Sequence, residues 1–200
     1  MTYILFTGAP GSKWSSVVKN IYWSSDIDHT DYSEARTYYH DADTPGRRQL
    51  MHTGAYWDPG MEFENSKENW DRPFSGTGHR IIKSHTFAHQ LDELKTLGYP
   101  IVLVYRSHLE CYDWWMQAGG FGITYPNYRD YYKDPENMWT EIKRQNIDIK
   151  IFIQKNIERI TCPMDNFQLC DELGIKSPGP RDSIHTHNYA QKGIRVYVFK

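Results

Sequence analysis

Three short apolar runs, each followed by a stretch with helical spacing, restrict this chain more than any other feature. The runs are Tyr3 to Thr7, His79 to Lys83 and Pro100 to Tyr105. Their apolar centres are unbroken rather than alternating, the pattern of strands covered on both faces of a parallel sheet. Lys13 to Trp23 follows the first run. Thr86 to Leu97 follows the second, with Phe87, Leu91 and Leu94 at helical spacing and Gly98 as a stop. Ser107 to Ala118, ended by Gly119-Gly120, follows the third. Farther along, Trp139, Ile142, Ile149, Ile153, Ile157 and Ile160 define one face of a longer helix from Pro135 to Ile160. A short helix is expected from Asn166 to Leu173, before Gly174, and a last strand from Ile194 to Phe199. Strands alternating with helices predict an α/β fold: a parallel sheet flanked by helices on both faces.

A chain of 200 residues without repeats or a Pro/Gly-rich linker predicts one domain over 1–200. Its least periodic part, about 24–78, is rich in Asp, Gly, Pro and aromatic residues and is expected to be a long irregular insertion. No apolar run is long enough to span a bilayer, so no membrane span is expected. The start, Met1 to Phe6, has no basic stretch and only a short apolar run, which predicts no signal peptide. Cys111, Cys162 and Cys170 are odd in number and form no CxxC pair, so reduced thiols and a cytoplasmic location are expected. With 23 basic and 25 acidic residues, a broad nucleic-acid surface is excluded; a local anion pocket is not.

Such a pocket is expected where the first strand runs into Thr7-Gly-Ala-Pro-Gly-Ser-Lys-Trp-Ser-Ser16 and then a helix. Gly8, Pro10 and Gly11 permit a tight turn, while Lys13 and the first-turn amides face an anion at the helix N-terminus. The triphosphatase pattern GxxxxGK[ST] is not met. Ser12 replaces its second Gly, and Trp14 replaces the Ser or Thr that would bind Mg²⁺. The third strand ends in Arg106, where such an enzyme might keep a metal-binding Asp. The site therefore reads as one for a phosphate-like anion without an obligatory metal. The plainer alternative is a Gly/Pro turn that simply caps a helix.

Four stretches together resemble the sulfotransferase family, whose donor is 3′-phosphoadenosine 5′-phosphosulfate. The family's first motif has the sense Pro-Lys-Ser-Gly-Thr-Thr-Trp; aligned on the Trp, this chain reads Gly8-Ala-Pro-Gly-Ser-Lys-Trp14. Gly11, Ser12 and Trp14 match in kind, which implies backbone and hydroxyl contacts to the 5′-phosphate and an indole against the adenine. The family's catalytic Lys falls on Ala9 and its second Thr on Lys13, so the resemblance implies a charge relocated to Lys13. His79-Arg-Ile-Ile-Lys-Ser-His85 is similar to the strand ending Lys-x-His, which implies that His85 is the general base. Ile101 to Arg106 is similar to the strand whose Arg holds the 3′-phosphate, although Trp114 stands where the family has a Ser. Gln191-Lys192-Gly193 is similar to the segment that closes over the 3′-phosphate. The implied fold is of the P-loop type.

The residues suit those roles. A histidine with an ordinary pKa of about 6.5 takes a proton at neutral pH, and the end of a parallel strand is where open α/β sheets bind ligands. Lys83, two residues before His85, is expected on the same face, to assist or to pair with a carboxylate. Arg106 offers a fork for a terminal phosphate; an Arg at a strand end is otherwise a surface ion-pair partner. Trp14 in a first helical turn is equally a core residue.

Metal is not expected: His85 and His89 in HTFAH lack the Glu of HExxH, and His185 and His187 have no third ligand. Cys111 lacks a nucleophile motif. The expected activity is transfer of a sulfuryl group to a hydroxyl or amine of a small-molecule, carbohydrate or lipid acceptor, held by aromatic side chains from Tyr38 to Trp70 and Phe121 to Tyr132. The alternatives are a Mg-dependent nucleotide or small-molecule kinase and a non-catalytic nucleotide-binding protein of the same fold. Neither the acceptor nor the oligomeric state is legible.

Overall fold

The computed structural model describes residues 3–28, 38–41, 48–52, 70, 76–117, 132–178 and 188–200. β1 (Tyr3–Gly8) leads into α1 (Trp14–Tyr22). A hairpin of β2 (Tyr38–Asp41) and β3 (Arg48–His52) precedes β4 (Arg80–Lys83). A 3-10 turn (Thr86–Gln90) runs into the short α2 (Leu91–Leu94) and a second such turn (Lys95–Leu97). β5 (Ile101–Tyr105), α3 (His108–Gln117) and α4 (Pro135–Lys155) follow. β6 (Ile160–Thr161), α5 (Asn166–Leu173) and β7 (Arg195–Phe199) complete the order.

Five strands form one sheet in the order β4-β1-β5-β7-β6. β1 is parallel to both neighbours, with Phe6 opposite Lys83 on one side and Val102 on the other. β7 is antiparallel to both β5 and β6. The wholly parallel sheet expected from sequence is therefore corrected to a mixed one. The chain leaves β6 and re-enters as β7 at the same end of the sheet, so α5 belongs to a return connection and not to a crossover.

Alternation along the strands sorts the core into two layers. Ile4, Phe6, Val102, Val104, Val196 and Val198 face Val17, Val18 and Ile21 of α1 and Leu169, Cys170 and Leu173 of α5. Leu5, Ile82, Ile101, Leu103 and Phe199 face Phe87, Leu91 and Leu94 and, from α4, Ile149 and Phe152. Helices thus cover both faces, as expected. Each fully buried aliphatic or aromatic side chain contributes about 1.5–3 kcal/mol of transfer free energy.

Two expected helices end early. Gln90 leaves helical space (φ −122°, ψ 15°) and splits the Thr86 to Leu97 segment. Asn156 does the same (φ −122°, ψ 25°), so the helix expected to reach Ile160 stops at Lys155 and β6 follows a 3-10 turn. Within 24–78, the β2–β3 hairpin and a parallel bridge between Ile27 and His79 are ordered structure that the sequence did not announce. Arg80, fully buried, lies 3.5 Å from Asp28 Oδ2 and donates to the Gly76 carbonyl at 2.7 Å. That ion pair fastens both ends of the 24–78 segment to the edge of β4. Gly119, Gly120, His185 and His187 lie outside the described residues, as do most of the aromatic side chains expected to hold an acceptor. Among the described residues, no helix is long and apolar enough to cross a membrane.

Candidate functional site

The turn between β1 and α1 is built by close backbone approach. A side chain at Gly8 would stand 2.6 Å from Ser12 Oγ and 2.8 Å from the Val104 carbonyl oxygen. Gly11 has φ +78°, and a Cβ there would overlap the Cys111 carbonyl of α3. Lys13 is the residue before α1 and lies in the left-handed region (φ 66°, ψ 20°), a conformation that costs a non-glycine residue about 1–2 kcal/mol. It places no side-chain cap on the helix, and the first turn of α1 holds no acid. In that turn the Lys13 carbonyl takes the Ser16 N–H at 2.9 Å, which leaves the N–H groups of Trp14 and Ser15 without an acceptor within the helix. Ser12 Oγ is fully buried and, among the described residues, has no hydrogen-bond partner.

Around this turn the expected site residues fall into two groups. The outer group is cationic. Lys13 Nζ sits 4.1 Å above the centroid of Trp114, on α3. Burial lowers the pKa of Lys13, and the charges of Arg106 and Lys192 lower it further; Glu110 opposes them. Lys13, Arg106 and Lys192 therefore converge from the α1 turn, the end of β5 and the turn before β7, with one carboxylate among the described residues. Arg106 donates to the Glu110 carbonyl at 3.2 Å and lies 3.9 Å from its carboxylate. Ser107 Oγ donates to Glu110 Oε2 at 2.6 Å and accepts from the Glu110 N–H at 3.3 Å. Gly193 (φ 66°) closes against the same carboxylate, since a Cβ there would stand 2.6 Å from Glu110 Oε1. Glu110 escaped the sequence reading, although Ser107-x-x-Glu110 is a capping-box pattern that marks it.

The inner group is buried. His85 is 6% exposed. Its Nδ1 lies 2.6 Å from the Gly8 carbonyl oxygen. A carbonyl only accepts, so the neutral ring carries its proton on Nδ1 and keeps its lone pair on Nε2. Burial pushes the His85 pKa down to about 3 against the opposing Gly8 bond, and the charge of Lys83 pushes the same way as burial. The Trp14 ring lies 4.4 Å from the His85 ring and 4.6 Å from Lys83 Nζ. Trp14 is 3% exposed and belongs to the α1-side core, a position that offers no open face for the adenine expected there.

The pairing expected from sequence is thus rearranged. Lys13 and Arg106 do come together with Lys192 and Gly193. Lys83, rather than Lys13, is the ammonium group beside His85. His85 itself follows the end of β4 and starts a 3-10 turn (φ −61°, ψ −40°), so it points from a helical residue and not from the strand. One turn on, His89 donates to Asp148 Oδ2 at 2.6 Å and to Glu141 Oε1 at 2.5 Å. Those bonds, above all the one to Glu141, raise its pKa. Among the described residues, no group of three or more His, Cys, Asp or Glu side chains is arranged to hold a metal ion.

Comparison with protein-family models, with curated proteins and with solved structures finds no match to this chain.

Proposed function

We propose that this chain is a sulfotransferase with a P-loop-type donor site, moving a sulfuryl group from 3′-phosphoadenosine 5′-phosphosulfate to a hydroxyl or amine acceptor. One observation carries the reading: the charges of Arg106 and Lys192 both bear on Lys13, opposed among the described residues by Glu110, beside a helix start that has no side-chain cap. Three cations held together repel one another, and a multiply charged anion is the ligand that relieves them. In this assignment Gly11, Ser12 and Lys13 hold the 5′-phosphosulfate, with Ser12 Oγ gaining the partner it lacks. Arg106, Lys192 and Gly193 hold the 3′-phosphate. His85 Nε2 accepts the acceptor's proton as the new oxygen–sulfur or nitrogen–sulfur bond forms. The bond from sulfur to the bridging phosphate oxygen breaks, and 3′-phosphoadenosine 5′-phosphate leaves. Lys83 and Lys13 stabilise the charge that develops on the leaving oxygen.

A second reading, a nucleotide-binding protein without transfer, is favoured by the sealing of His85 and by its pKa of about 3, which makes it a weak base. Calorimetry and a labelled-donor assay separate the two. 3′-Phosphoadenosine 5′-phosphate is expected to bind without divalent metal. Arg106→Ala is expected to weaken it about tenfold or more, and the 3′-dephospho analogue much less, since hydrogen bonds to charged groups contribute about 1.5–3 kcal/mol. Equal losses for both ligands would make Arg106 structural, and preference for ATP with Mg²⁺ would make the chain a kinase. For transfer, kcat/KM reports the free enzyme's base. With His85 neutral down to about pH 3, the profile should stay flat through pH 6.5. An inflection near 6.5 would place the base elsewhere, and binding without transfer across acceptor libraries would leave the second reading.

A further inference from the structure

A second cleft, of about 690 Å³, borders the cation cluster through Ser107, Glu110 and Gly193 but opens between α4 and the end of β7. Its volume is that of a site for a small organic ligand. Tyr105 and Arg195 are directly opposed across the β5–β7 ladder. They share the face whose earlier members, Ile101, Leu103 and Phe199, belong to the α4-side core. Tyr197 lies two residues along the same face, and Ile194 is a buried apolar part of the lining. Lys150 reaches over from α4, its Nζ 4.8 Å above the Tyr105 ring. Among the described residues, neither Lys150 nor Arg195 forms an ion pair. Among the described residues of the lining the one acid is Glu110, already engaged by Ser107 and Arg106.

Two aromatic walls with two uncompensated cations at their rim define a ligand class. A ring gains contact area on the tyrosines, and a negative group on that ring meets Lys150 and Arg195. We propose that this cleft is a binding site for a small ring-bearing anion, an aryl or sugar phosphate, sulfate or carboxylate, separate from the site at Lys13. The proposal does not depend on the nucleotide reading. A chain that ignores 3′-phosphoadenosine 5′-phosphate, yet binds such an anion through Arg195, fails that reading and keeps this one.

The probe is 1-naphthyl phosphate, titrated calorimetrically into the full chain, with 1-naphthol and inorganic phosphate as the uncharged and ringless controls. The phosphate ester is expected to bind at least tenfold more tightly than either control. Arg195→Gln and Lys150→Met, both at exposed positions, are each expected to weaken it at least fivefold, and Lys13→Ala to leave it unchanged. Four results would overturn the proposal: no binding at millimolar ester; wild-type affinity in both cleft variants; an equal loss in Lys13→Ala; or displacement of the ester by saturating 3′-phosphoadenosine 5′-phosphate, which would make the cleft part of the donor site.

Discussion

Three helices of this molecule begin in two different ways. Before α4, Asp134 turns back to accept the Asn137 N–H at 2.8 Å, with Pro135 in the first turn. Before α5, Asp165 accepts the Gln168 N–H at 2.9 Å. Each of these helices neutralises its own partial positive end with a carboxylate. α1 does the opposite: a lysine in a left-handed conformation stands where the cap should be, and two more cations approach it. A cap is among the easiest stabilising features for a sequence to acquire, so a helix that forgoes one and gathers like charge instead has left the position open to something else. That difference is the ground on which the proposed anion site rests.

The sharpest way to break this contrast is at Gly11. Gly11→Ala adds a Cβ that overlaps the Cys111 carbonyl while φ stays at +78°. Neither the α1 turn nor α3 can yield without moving core residues. A loss on the order of 3 kcal/mol is expected, read as a lower denaturation midpoint, together with loss of nucleotide binding. A variant of wild-type stability would mean that the turn is loosely held and that its fit to an anion is incidental.

Effects at the self-capped helices should be smaller and purely structural. Asp165→Ala and Asp134→Ala are each expected to lower stability by about 0.5–2 kcal/mol. Neither should change affinity for 3′-phosphoadenosine 5′-phosphate. If either variant binds the nucleotide more weakly, the two classes of helix start are not functionally distinct.

Most of the contrast is invisible in the sequence, and particular residues show why. Asn166 to Leu173 is legible to the residue because the helix and its closing Gly174 lie within one short stretch, and the structure adds the Asp165 cap. The three adjacent parallel strands β4, β1 and β5 are legible for a similar reason: each is a local apolar run whose burial decides its conformation. β6 was not, because Ile160 and Thr161 are a strand only by pairing with Phe199 and Val198, far along the chain. The direction of β7 was equally hidden, since alternation sorts faces but not polarity. At the site, glycines and cations predict an anion turn, and the charges of Arg106 and Lys192 do bear on Lys13 there. What spacing could not say is which lysine would reach His85. Trp14 enters the core beside both groups, its ring 4.4 Å from the His85 ring and 4.6 Å from Lys83 Nζ.

The smallest stability effect is expected at Lys13, and its smallness is the informative part. Lys13→Gly removes a left-handed non-glycine residue, which relieves about 1–2 kcal/mol of backbone strain. It also relieves repulsion from Arg106 and Lys192. Against this, glycine frees the unfolded chain by about 0.4–1 kcal/mol. The contact with Trp114 is lost as well, about 0.5–1 kcal/mol for a cation over an exposed ring. These terms nearly cancel, so equilibrium denaturation should move by no more than about 0.5 kcal/mol in either direction. Nucleotide affinity should nevertheless fall at least tenfold, because the lost charge faced the ligand rather than the fold. A true cap behaves in the reverse manner, as Asp165 should: stability falls and affinity holds. If Lys13→Gly lowers stability by as much as the aspartate variants do, with affinity intact, then Lys13 serves α1 and the open helix start is only an unusual cap.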